Sequence, residues 1–152
     1  MKMFTTAVLV ATCVIYSGCS SSTPEKARTA AVPAYVATAN AICTKQLAHL
    51  ASMPEPTTPE QSVSYLPVAL SSMRGGASRL STLHTRPPVT AELAAGLASS
   101  RKLAAVLSSF LHDLREGIVE LSTFTTVETQ SETLRKQIDE HFRRAGLVKC
   151  LQ

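Results

Sequence analysis

The feature that most constrains this fold is a helical stripe in the second half of the chain that no proline interrupts. Leu93, Leu97, Ala104, Leu107, Leu111, Leu114, Ile118 and Leu121 recur at steps of three, four or seven residues. At that spacing side chains share one face of an α-helix, the pattern of a bundle helix. No proline follows Pro88, so nothing in this stretch removes a backbone donor. Thr90 is placed to cap the helix. Ser122 to Thr126 is β-branched and hydroxyl-rich and reads as a turn, and Thr125 and Glu128 have capping-box spacing. A last helix then carries Leu134, Ile138, Phe142 and Ala145, with Gly146 as its stop and Leu147 as the packing residue just beyond.

Two more helices are expected upstream. Pro33 suits a first helical turn, where its missing N–H costs nothing. Val36, Ala39, Cys43, Gln46/Leu47 and Leu50 follow at helical spacing, and Pro54, Pro56 and Pro59 stop that helix near Met53. Thr57-Thr58-Pro59-Glu60 has the form of a cap, a first-turn proline and an acidic residue. Val63, Leu66, Leu70, Met73, Ala77, Leu80 and Leu83 then line a second stripe. Pro67 and Gly75-Gly76 interrupt it, so this helix should be kinked or split, and Arg86-Pro87-Pro88 ends it. No sustained alternation of strand type occurs. The expectation is an all-α fold, an antiparallel bundle of about four helices.

With 152 residues, 45% of them hydrophobic, the chain can bury one core and hardly two. Charged residues at 17% argue against a disordered polyelectrolyte. A net charge of +4, aromatics at 5% and no Trp give little to a nucleic-acid binder, so no nucleic-acid partner is expected.

The amino terminus reads as an address. Residues 1–18 begin with Lys2, continue with an apolar stretch from Met3 to Tyr16, and end in Ser17-Gly18 before Cys19 and a run of serines. The stretch suits a secretory signal and falls short of the roughly 20 residues that span a bilayer. Ser17-Gly18-Cys19 resembles the lipobox of bacterial lipoproteins. That resemblance implies cleavage between Gly18 and Cys19 and a diacylglyceryl group on the Cys19 thiol. Tyr16 departs from the pattern, because Leu, Val or Ile is usual there, which implies less efficient processing. The implied location is the outer side of a bacterial cell membrane, held by the N-terminal lipid. Residues 19–33 are rich in Ser, Thr and Ala and read as a flexible tether, spanning roughly 20 Å on average. Residues 34–152 are the bundle.

Cysteine counting follows from that cleavage. It removes Cys13 and leaves Cys19, Cys43 and Cys150. If Cys19 carries lipid, the other two are free to pair, and export would place them where a disulfide persists. The bridge would tie the first helix to the C-terminal tail; two buried free thiols are the alternative. Ala39-Asn40-Ala41-Ile42-Cys43, the Leu83 to Pro88 segment and Ala145-Gly146-Leu147-Val148-Lys149-Cys150 resemble small actinobacterial lipoproteins and secreted helical proteins. These share a NAIC-type cysteine, a PP break and a GLxxC ending. The resemblance carries no activity with it.

Local sequence offers little chemistry. His49, His84, His112 and His141 fall one to a helical region, none in Glu-x-x-His spacing, and His112 and Glu116 are four apart. No HExxH, nucleophile elbow, P-loop or dinucleotide fingerprint is present. No catalytic residue, metal or cofactor is expected. Arg135, Lys136, Arg143, Arg144 and Lys149 crowd the last helix and tail as a possible basic contact face. The sequence thus points to a non-enzymatic, membrane-anchored envelope protein that presents a helical surface to an unknown envelope or host protein. A binder of a lipid or small hydrophobe inside the bundle, and a prophage-type exclusion lipoprotein, are the alternatives.

Overall fold

The first helix, α1, spans Ala34–Ala51, and Pro33 stands just before it as the N-cap residue. The computed structural model describes residues 33–151. Three further α-helices follow: α2 over Pro59–Ser81, α3 over Val89–Glu116 and α4 over Leu121–Arg144. A short 3-10 helix, η1, covers Val148–Cys150. The fold is an all-α antiparallel bundle. α3 packs against both α2 and α4, while α1 lies on α2 and on η1.

Local chemistry explains most boundaries. Thr58 accepts the Gln61 N–H on its hydroxyl at 3.3 Å and caps α2, with Pro59 in the first turn. α2 is a single element: it runs through Pro67 and through Gly75-Gly76 without dividing. Gly76 serves packing instead. The space a Cβ would need there is filled by the Gln46 amide of α1, which donates to the Ser72 carbonyl. Gly76 lets two helices approach rather than breaking one.

The α3–α4 corner differs from the sequence expectation. α3 stops at Glu116, because Gly117 turns left-handed at φ 68°. Ile118 and Leu121 are therefore not on the buried stripe; they are 63% and 84% exposed. Ser122 to Thr126 is not a turn but the start of α4. Its hydroxyls find helical partners: Thr126, Thr129 and Thr133 each donate to the carbonyl four residues back, at 2.8, 2.9 and 2.9 Å. That back-bonding satisfies the hydroxyls within the helix. Phe124 and Val127 meanwhile pack on the Phe110 and Leu111 cluster, and Phe124 meets the Phe110 ring edge-on at 5.1 Å. Thr90 also does not cap α3. It lies in the first turn, its hydroxyl 3.0 Å from that of Thr85, and Pro88 is the residue before the helix.

The core has two centres. One gathers Leu80, Leu97, Leu103, Ile138, Phe142 and Leu147 around the cysteines. The other gathers Leu66, Leu70, Phe110 and Leu111 toward the opposite end. Gly96 sets the α3–α4 spacing at the first. A Cβ there would stand 2.5 Å from Phe142 Cε1. Replacing Gly96 by Ala gains up to about 1 kcal/mol of helix propensity and incurs about 1–3 kcal/mol of overpacking against a rigid ring. Gly96→Ala should therefore lower the unfolding free energy by about 1–2 kcal/mol. Urea denaturation checks this, and an unchanged or raised midpoint would mean that the ring moves aside freely.

Candidate functional site

The most specific construction in the chain is its stapled end, where the N-terminus of α1, the α2–α3 loop and the C-terminal tail meet. α4 closes with paired backbone bonds: Gly146 N–H donates to Arg143 at 3.0 Å and Leu147 N–H to Phe142 at 2.8 Å. Gly146 takes φ 76°, a conformation that glycine adopts without strain. The turn drives Leu147 into the core, where it is fully buried. The chain then doubles back over α1. Tyr35 Oη donates to the Ala145 carbonyl at 3.2 Å, and the Lys149 N–H donates to Asn40 Oδ1 at 3.3 Å. Cys150 of η1 and Cys43 of α1 are both buried and joined, with their Cα atoms 4.9 Å apart. The disulfide expected between the first helix and the tail is present.

The five basic residues are spread along the last helix and tail. Lys136 pairs with Glu132 at 2.7 Å, which holds the Glu132 carboxyl below its ordinary range. Arg135 and Lys136 lie about two turns inward from the end of α4. Arg144 bridges Glu140 and, at 3.9 Å, Glu92 of α3. Arg143 and Lys149 are exposed at the stapled end. Glu92 also meets His141 Nδ1 at 2.8 Å, so the start of α3 is bound to the finish of α4 by a half-buried polar pair. His112 and Glu116 are both exposed on the last turns of α3. Among the described residues no group of three or more His, Cys, Asp or Glu side chains is arranged to hold a metal.

Tyr35, Asn40, Glu92 and His141 form polar links at this end that sequence reasoning did not single out as partners. Only Asn40 lies within a quoted motif. Each partner is at least 49 residues away in the chain, so local spacing carries no signal of it.

Several hollows bear on binding, among them an open groove of about 480 Å³ between α2 and α3 and two more. One, of about 60 Å³, lies beside the disulfide between Cys43, Leu47, Leu50, Ile138 and Phe142. Ligand sites usually hold roughly 300–1,000 Å³, so this space suits one or two waters rather than a lipid. The other is an open groove of about 510 Å³ at the α1–α2 corner, between Met53, Pro54, Pro56, Glu60 and Tyr65. The helix-start N–H of Glu60 itself and the Thr58 hydroxyl hold the Glu60 carboxyl below its usual range. No helix among the described residues is long and apolar enough to cross a membrane. Gly18 and Cys19, and the tether up to residue 32, lie outside the described residues.

Compared with family models, curated proteins and solved structures, the chain matches none.

Loss of the staple should be costly. The bridge closes a loop of 107 residues, for which chain entropy gives about 4–5 kcal/mol. Cys43→Ser with Cys150→Ser should lose about 2–5 kcal/mol of stability in denaturant melts, and wild type under reductant should match it. A loss below about 1 kcal/mol would mean that packing of Leu147 and the polar links already hold the tail.

Proposed function

We propose that this chain is a lipid-anchored protein of a bacterial cell envelope that acts by presenting a folded helical surface, without catalysis. The single observation that carries the reading is the Cys43–Cys150 disulfide. Such bridges belong to oxidising compartments, and this one accounts for two of the three cysteines left after cleavage before Cys19. Cys19 is then the remaining thiol, in the lipobox-like setting of Ser17 and Gly18. The apolar residues 3–16 supply the export signal, and residues 20–32 supply reach.

The interaction role is supported by what the helices leave at the surface. The bundle buries its apolar stripes between helices, yet Ile118, Leu121 and Val148 stay exposed at its two ends. A hydrophobic ligand inside the bundle gains no support from a hollow of about 60 Å³. The partner is an envelope or host component.

Fractionation of an expressing bacterium tests the anchor. Wild type should sediment with membranes, begin at Cys19 and carry the added mass of diacylglycerol. Cys19→Ala should lose that mass and retain residues 1–18. A wild-type protein that keeps its first 18 residues, or that lacks acyl mass, would end this reading.

A further inference from the structure

The charges of the bundle are sorted along its long axis. The stapled end comprises the last turn of α2, the α2–α3 loop, the first turns of α1 and α3, the last turn of α4 and the tail. It holds five basic residues, Arg79, Arg86, Arg143, Arg144 and Lys149, against one acidic residue, Glu92. Asp139 and Glu140 sit just inward of that last turn, and Glu140 pairs with Arg144. The opposite end comprises the α1–α2 and α3–α4 corners and their flanking turns. It holds Glu55, Glu60, Asp113, Glu116 and Glu120 against Arg115 alone. α3, with 28 residues, separates the two by about 42 Å. That is several times the screening length of about 8 Å at physiological salt. Each end therefore meets a charged surface on its own.

Other features of the stapled end suit an interface. Val148 is 56% exposed beside Lys149, an apolar group flanked by a cation. The disulfide and the buried Leu147 fix both to the rigid core. Pro33, where the chain arrives from residue 19, is at this same end. We propose that the stapled end is a docking surface for an anionic lipid bilayer, so that the bundle stands with its acidic corners facing away. Arg86, Arg143 and Lys149 supply the contact charge, and Val148 reaches into the headgroup layer; Arg79 turns back along α2, where its guanidinium donates to the Gly75 carbonyl at 3.2 Å. Arg144 contributes less, because Glu92 and Glu140 already hold it. Arg135 and Lys136 lie too far along α4 to reach the surface.

The inference rests on the anchoring reading only for the side from which the chain is held. Binding to vesicles does not need the lipid. The test uses the full chain with Cys19→Ser and co-sedimentation on phosphatidylcholine vesicles with and without phosphatidylglycerol. Lys2, Lys26 and Arg28 outside the bundle also favour anionic vesicles, so the bundle is read from the difference between paired variants that all share that segment. The chain should partition at least about tenfold better onto the anionic vesicles, and salt should abolish the difference. Arg143→Glu with Lys149→Glu should remove most of that preference. Arg101→Glu with Lys102→Glu changes the net charge equally at exposed positions midway along α3 and should remove much less. Arg143→Gln with Lys149→Gln, a milder pair, should fall between wild type and the double reversal. Equal losses for the two reversed pairs would overturn the proposal in favour of net charge alone. Equal wild-type binding to both vesicle types would overturn it outright. A preference for anionic vesicles that depends on Arg143 and Lys149, in a chain that carries no lipid in the bacterium, would refute the anchor and leave the docking surface standing.

Discussion

The covalent link between Cys43 and Cys150 decides where both ends of the domain lie. Without it, η1 would rest on α1 through two hydrogen bonds and a buried leucine. With it, the point at which the chain enters α1 and the point at which it leaves α4 are held together. α1 makes its contacts with α2 and with the tail rather than with α4. The staple therefore supplies the closure that a direct α1–α4 seam provides in a more symmetrical bundle. The left-handed Gly146 is the local device that makes it feasible. It reverses the chain at once, so that Leu147 fills the core and Cys150 arrives three residues later.

That arrangement gathers what sequence neighbours alone do not. Arg79 and Arg86 come from α2 and its loop, Arg143 and Lys149 from α4 and the tail. They fall at one end of the bundle because antiparallel helices bring alternate termini together. The same topology collects the acidic residues of two separate corners at the far end. A bundle so sorted has a preferred way up beside a charged surface. The residues that hold it rigid, the cysteines and Leu147, sit directly behind the basic end.

How much of this was legible depended on where the deciding interaction lies. Helix number, the Thr58 cap and the Gly146 stop follow from local spacing, and the fold contains all of them, together with the cysteine pair expected if Cys19 is otherwise occupied. The α3–α4 corner departs from the sequence pattern because Ile118 and Leu121 keep helical period beyond the true stop at Gly117. The threonines that suggested a turn are accommodated in α4 by bonds to preceding carbonyls and by packing of Phe124. Gly75-Gly76 suggested a break because sequence cannot show that Gln46 needs the vacated space. Arg135 and Lys136 are near the other basic residues in sequence but about two turns from the end of α4. The fold places them along the side of α4 and gives Lys136 to Glu132.

Thiol counting on the mature protein tests this account most directly. Membrane-extracted protein is alkylated in denaturant, before and after reduction, and weighed intact. The account predicts no alkylated cysteine before reduction and two after it, on Cys43 and Cys150, with the acylated Cys19 silent throughout. Two labels without reduction would contradict the staple, and a label on Cys19 would contradict the lipid.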